Sequence, residues 1–172
     1  MSERVGLALP IVLIGAMGAG KSRVGQRLAA SVDAPFIDTD ARIVERHGPI
    51  EQIFARRGEE AFRAVEREIV AEALREPAVI SLGGGAVLHP DTREDLAGLP
   101  VVWLRVSPEA VAPRLSGGNR PLLADGGLAT WRAILEERTP IYRSLADLDI
   151  DTSRRSVARI VADIAGHFGG AR

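Results

Sequence analysis

An apolar run from Ile11 leads into Gly15-Ala16-Met17-Gly18-Ala19-Gly20-Lys21-Ser22, and a helix-period stretch follows from about Lys21 to Ser31. The eight residues match G-x-x-x-x-G-K-[ST], with a strand before and a helix after, which is the setting the pattern requires. Glycines let the backbone turn so that successive N–H groups face an anion, at a helix N-terminus that already favours negative charge. On this reading Gly18, Ala19 and Gly20 cradle the phosphates of ATP, Lys21 reaches the β- and γ-phosphates, and the Ser22 hydroxyl coordinates Mg²⁺. The competing reading is a Gly-rich turn without a ligand. Of the 22 Lys plus Arg, only Lys21 is a lysine. A coding bias explains the arginines, yet the one lysine stands where a compact ammonium differs most from a planar fork.

The rest of the chain alternates apolar runs with helix-period stretches, the signature of an α/β domain with a parallel sheet. Strands are expected at Pro35 to Ile37, Ala78 to Leu82, Val101 to Val106 and Leu148 to Ile150. A helical pattern covers Ala41 to Arg75 with breaks at Gly48-Pro49 and near Gly58, and a short helix capped by Asp91 follows. Further helices are expected over Pro108 to Leu115, Leu128 to Glu137, Pro140 to Ala146 and Val157 to Phe168. Ser116 to Gly127, rich in Gly and polar residues, reads as a mobile loop. With 172 residues and no linker or repeat, the chain reads as one domain spanning 1–172.

A net charge of -1 argues against a nucleic-acid partner or a membrane-surface anchor. The absence of cysteine excludes a disulfide scaffold and thiolate zinc sites, and it fits a reducing cytoplasm. Gly6 and Pro10 break the short apolar run from Val5 to Ile14, so neither a signal peptide nor a membrane span is expected, and the first ten residues read as a frayed tail. The three histidines, His47, His89 and His167, do not form a spaced ligand set.

Three clusters speak to what receives the phosphoryl group. Asp38-Thr39-Asp40 closes the second strand, and strand carboxyl ends face the ligand crevice of an open α/β sheet. Its carboxylates suit Mg²⁺ and an acceptor hydroxyl, or Asp40 merely caps the following helix. Gly83-Gly84-Gly85 permits close backbone approach to a ligand, or makes a plain turn. Arg63, Arg120 and Arg138 are suited to carboxylate capture or phosphate clamping, or are solvated surface charges.

Taken together, GAMGAGKS, DTD, Phe62-Arg63, SLGGGAV from Ser81, NRPLL from Asn119 and R-x-P-x-Y-R from Arg138 resemble the shikimate kinase family, over nearly the whole chain. The resemblance implies a three-layer αβα P-loop NTPase fold with a five-stranded parallel sheet in the order 2-3-1-4-5 and a mobile lid at about 116–127. It implies transfer of the ATP γ-phosphoryl group to the 3-hydroxyl of shikimate, with ADP and shikimate 3-phosphate as products, in chorismate and aromatic amino-acid biosynthesis. Shikimate would be held by Asp40, Arg63, Gly84 and Arg138 beside Gly83 and Gly85. The two arginines would grip its carboxylate, Glu66 would orient Arg63, and Phe54 and Phe62 would pack near the ring.

In the same resemblance Lys21, Asp40 and Arg120 carry the catalysis, with Arg120 reaching ATP phosphates from the lid. Arg114 and Arg155 lie near the adenine, and Asp38 joins Ser22 at Mg²⁺. Arg23 stands where the family commonly has a small hydroxyl residue; it adds charge near the nucleotide or faces solvent, and solvent is favoured. The expected protein is a cytoplasmic monomer. Its rivals are a gluconate-type or nucleoside monophosphate kinase, and a non-catalytic module that uses ATP to switch a partner's binding.

Overall fold

β1 (Ile11–Ile14) is buried along its whole length, as an inner strand covered on both faces must be. Beside it lie β2 (Phe36–Asp38), β3 (Val79–Ser81), β4 (Val101–Arg105) and β5 (Leu148–Asp151). A computed structural model describes these elements within residues 6–115 and 126–170. The five strands form one parallel sheet in the order β2-β3-β1-β4-β5, as the family resemblance implies. The helices are α1 (Lys21–Ser31), α2 (Thr39–His47), α3 (Ile50–Ala73), α4 (Pro90–Leu96), α5 (Pro108–Leu115), α6 (Gly127–Leu145) and α7 (Val157–Gly169).

Successive strand residues point to opposite faces, so each inner strand feeds two cores. Ile11, Leu13, Val102 and Leu104 join Leu28 of α1 and Ile160 and Ile164 of α7 on one face. Val12, Ile14, Val101 and Trp103 join Val70 of α3, Leu96 of α4 and Tyr142 of α6 on the other. A smaller cluster of Ile43, Ile53, Phe62, Val65 and Ile69 binds α2 to α3. Leu13 and Asp38 both pair with Ser81. The carboxyl ends of β1, β2 and β3 therefore lie level, and the loops that leave them share one crevice.

Several local expectations need correction. Residues Gly6 to Pro10 are not a frayed tail, because Leu7 and Leu9 pack against the first core. Asp91 sits inside the first turn of α4, and the cap is the His89 side chain, which accepts from Asp91 N–H at 3.2 Å. Pro90 is the first helical residue, and its fixed φ is already that of a helix. The two helices expected on either side of Pro140 are one, α6, whose buried Trp131, Arg138 and Tyr142 hold it against the domain across the proline. The break expected near Gly58 is present: at φ 82° and ψ 173° its backbone leaves the helical region, and α3 is two helical stretches meeting at that kink.

On α1, Val24, Gly25, Leu28 and Ala29 form the buried stripe, the repeat of an amphipathic helix. Replacing Leu28, fully buried, by Ala is expected to cost about 2–5 kcal/mol from lost burial plus a residual cavity. Urea denaturation checks this, and a loss below about 1 kcal/mol would contradict the packing described.

Candidate active site

The phosphate loop runs from Gly15 at the end of β1 to Ser22 in the first turn of α1. A side chain at Gly15 would drive into the Leu104 carbonyl of β4, so the strand-to-loop junction admits only glycine. Five consecutive carbonyls of the loop accept from side chains. Lys21 Nζ donates to Gly15 O at 2.8 Å and Ala16 O at 3.0 Å. Trp131 Nε1 donates to Met17 O at 2.9 Å, Arg114 Nη1 to Gly18 O at 2.7 Å and Thr152 Oγ1 to Ala19 O at 3.0 Å. Ser22 Oγ donates to Asp38 Oδ2 at 2.8 Å, which joins the loop to the end of β2.

Asp38, and not Asp40, caps α2: its Oδ1 accepts from Asp40 N–H at 3.0 Å and Ala41 N–H at 3.2 Å. That releases the Asp40 carboxylate toward the crevice. Between the two acids, Thr39 is fully buried. Its hydroxyl donates to Ser81 O at 3.3 Å and accepts from Gly83 N–H at 3.2 Å, fixing the glycine run to the start of α2.

Each of the three glycines lies against a different charged group. A Cβ on Gly83 would stand 2.5 Å from Asp40 Oδ1 and 3.0 Å from Glu66 Oε2. On Gly84 it would lie 3.3 Å from Arg138 Nη1, and on Gly85 it would run into the Arg63 guanidinium. No side chain can be added at Gly83 or Gly85 without displacing these groups. Arg63 Nη1 pairs with Glu66 Oε1 at 2.8 Å, one helical turn along α3, and its guanidinium lies 5.2 Å from the Phe62 ring centroid. Phe54 packs on Phe62 at 4.8 Å between centroids. Tyr142 donates its hydroxyl to Gly84 O, and the Arg138 guanidinium lies near enough to act on the phenol. Arg63 Nε and Arg138 Nε are buried without a hydrogen-bond partner among the described residues.

These groups line a cavity of about 420 Å³, a size that suits a small molecule. Its polar wall is electrically tense. Burial, and after it the nearby Asp38 carboxylate, pushes Asp40 above its ordinary value of 3.8, although Lys21 and Arg63 pull it back. Burial likewise raises Glu66, against the pull of Arg63. Burial also pushes the Tyr142 phenol up to about 12, so it stays a neutral donor. An unpaired buried cationic donor costs free energy. Two such donors, the Asp40 carboxylate and the Phe54 and Phe62 rings make a wall chemically suited to an anion that also carries hydroxyls.

Of the residues singled out in the sequence, Gly18, Gly20, Lys21, Ser22, Asp38, Asp40, Arg63, Gly83, Gly84, Gly85 and Arg138 all line this cavity, and Arg23 stands exposed at its rim. Ala19 is buried beneath it. Arg114 lies behind the loop, and Arg155 lines a separate hollow with Ser107, Asp151 and Ser153, where it pairs with Asp163 at 2.8 Å. Arg120 and the remaining expected lid residues 116–125 lie outside the described residues. Sequence reasoning gave no role to Thr39, Trp131, Tyr142 or Thr152. Thr39 and Tyr142 sit inside singled-out motifs, which is a signal; Trp131 and Thr152 reach the loop from 114 and 133 residues away and carry none.

A family model for shikimate kinase matches residues 17–167. The shikimate kinase of Mycobacterium avium (strain 104) is 50% identical over 167 residues, covering 94% of both chains. That of Thermobifida fusca (strain YX) is 50% identical over 148 residues, covering 84% of this chain and 86% of that one. Among solved structures, shikimate kinase from Acinetobacter baumannii in complex with shikimate superposes with a TM-score of 0.85 at 34% identity, covering 90% of this chain and 89% of that one. A phosphate-loop motif, a cavity lined by two arginines and these matches along nearly the whole length lead to one conclusion: the chain belongs to the shikimate kinase family.

Proposed function

We propose that the chain transfers the γ-phosphoryl group of ATP to the 3-hydroxyl of shikimate, giving ADP and shikimate 3-phosphate on the route to chorismate. One observation carries this reading: Arg63 and Arg138, each with a buried Nε that has no partner among the described residues, lie against adjacent glycines beside the Asp40 carboxylate. Shikimate offers a carboxylate to the first pair and hydroxyls to the acid. Arginine forks bind a carboxylate bidentately, which fixes the ring as well as holding it.

Phosphoryl transfer needs in-line positioning and charge neutralisation more than covalent help. Lys21 supplies a positive charge beside the phosphates. Asp40 accepts a hydrogen bond from the attacking hydroxyl, orients it and takes its proton late. Glu66 holds Arg63 in place at 2.8 Å, and Phe54 and Phe62 exclude water from one side of the ring. Ser22 and Asp38 present hydroxyl and carboxylate oxygens 2.8 Å apart, hard donors that fit Mg²⁺ directly or through its water. When bound, Mg²⁺ supplies charge neutralisation on the β- and γ-phosphates. Arg23, exposed, adds at most a rim charge. Arg120 is assigned to ATP phosphates, and Arg114 and Arg155 to the adenine end, on the family resemblance. In this reading the working unit is one domain spanning residues 1–172, a cytoplasmic monomer; no helix among the described residues is long and apolar enough to cross a membrane.

Arg63→Lys keeps the charge and loses the fork, so the shikimate KM is expected to rise by about tenfold or more with the ATP KM little changed. Steady-state kinetics in both substrates check this, and an unchanged shikimate KM would refute the carboxylate clamp.

Asp40 must be ionised to accept the hydroxyl proton, and its pKa is raised. The acid limb of kcat/KM should therefore lie above the ordinary carboxylate value of 3.8, with activity lost as pH falls through it. Folding follows the opposite sign. A carboxylate whose pKa rises on folding favours the native state at low pH, and that contribution disappears as pH rises through the folded pKa. Asp40→Asn is thus expected to lower kcat by about 10²–10⁴ while raising the Tm of the ligand-free protein at neutral pH. A variant that loses both activity and stability there would contradict the assignment.

A further inference from the structure

The carbonyls of the phosphate loop are held by side chains of four different segments. Lys21 takes Gly15 and Ala16, Trp131 of α6 takes Met17, Arg114 of α5 takes Gly18, and Thr152, just past β5, takes Ala19. In a trans peptide the C=O and the following N–H point in opposite directions. A donor that fixes the carbonyl on the far side of the loop therefore aims the next residue's N–H at the near side. Trp131 acts on the Met17–Gly18 peptide and aims Gly18 N–H; Thr152 acts on the Ala19–Gly20 peptide and aims Gly20 N–H.

Gly18 and Gly20 are loop glycines that line the cavity, whereas Ala19 does not. The Ala19 N–H is used inside the loop, donating to Ala16 O at 3.2 Å. Gly18 and Gly20 also hold positive φ, 80° and 90°. Glycine rotates there at little cost, so the two peptides that must present N–H groups to a phosphate are those whose own backbone resists turning least. Each is tethered by a buried side chain. Trp131 and Thr152 are 1% and 5% exposed, and neither reaches the cavity.

We infer that Thr152 and Trp131 are positioning residues for the nucleotide, holding the Gly20 and Gly18 amides toward the phosphates of ATP through their hydrogen bonds to the Ala19 and Met17 carbonyls. Thr152 Oγ1 also lies 2.9 Å from Arg105 O, which accepts Thr152 N–H at 2.8 Å. The hydroxyl thus has two carbonyl acceptors at nearly equal distance, and its bond to Ala19 O at 3.0 Å is the one that bears on the loop. The remaining function of each side chain is packing, and the two roles separate experimentally. Packing supports both substrate sites and the fold alike; the tether acts on the nucleotide alone. The inference rests on the reading that the loop holds ATP phosphates.

The test compares wild type with Thr152→Val, Thr152→Ser and Trp131→Phe, measuring the calorimetric Kd of Mg-ADP, the KM for ATP and for shikimate, and Tm. Thr152→Val keeps the shape and removes the donor. It is expected to weaken Mg-ADP and raise the ATP KM by about five- to tenfold, the worth of one hydrogen bond, with the shikimate KM within about twofold. Thr152→Ser, which restores the hydroxyl, should return both nucleotide constants to wild-type range. Trp131→Phe should weaken the nucleotide in the same direction from the other tether, and it decides the matter if Thr152→Val does not fold. Mg-ADP bound by Thr152→Val as tightly as by wild type, equal rises in both KM values, or no recovery in Thr152→Ser would overturn the inference. Failure of the wild type itself to bind Mg-ADP would instead remove the nucleotide reading beneath it.

Discussion

The Arg63–Glu66 pair is the interaction on which the acceptor half of the site depends. Glu66 has a side chain only 4% exposed, and Arg63 is 19% exposed. Removing two charges from water is costly, and their attraction repays it only with good geometry and further hydrogen bonds. The pair alone does not use every donor of Arg63, whose Nε stays without a partner among the described residues. The cluster also holds Asp40 and Arg138 around three glycines that leave no room for a side chain at Gly83 or Gly85. As a stabilising device such a set is weak. On the proposed function, a ligand carboxylate would supply the acceptors that the fold withholds.

The sheet explains why these charges meet the phosphate loop at all. Parallel strands deliver all their carboxyl ends to one edge, and the register that sets Asp38 and Leu13 level with Ser81 brings three loops into one crevice. From there the division of labour follows from chemistry. On the proposed function, backbone amides and Lys21 would face the nucleotide, Arg63 and Arg138 a carboxylate, and Asp40 the acceptor hydroxyl. Asp38 serves both halves, capping α2 with one oxygen and accepting from Ser22 with the other.

Much of this was legible in the order of residues. The inner strands are buried on both faces and so read as unbroken apolar runs, and the glycine loop was visible because its spacing between strand and helix is the one a phosphate site uses. DTD, GGG and the arginines were visible as clusters, though their neighbours were not. Asp40 could have capped α2; the structure gives that task to Asp38, because its position before the helix lets its side chain reach the Asp40 and Ala41 amides. Pro140 read as a boundary, yet burial of Trp131, Arg138 and Tyr142 carries α6 through it. Pro90 was a start signal for α4 that pointed to His89 as its cap, and Asp91 drew attention instead. Trp131 and Thr152 were beyond reach for a plainer reason: a hydrogen bond across more than a hundred residues leaves no local pattern.

The central claim is that the cavity selects shikimate as the phosphoryl acceptor. ADP release by the purified protein with Mg-ATP, and with shikimate, gluconate and AMP added in separate assays, tests it most directly. The account predicts acceptor-dependent turnover with shikimate and only background release with the other two. Turnover with gluconate or AMP in place of shikimate, or tight ATP binding with no acceptor-dependent release at all, would contradict it.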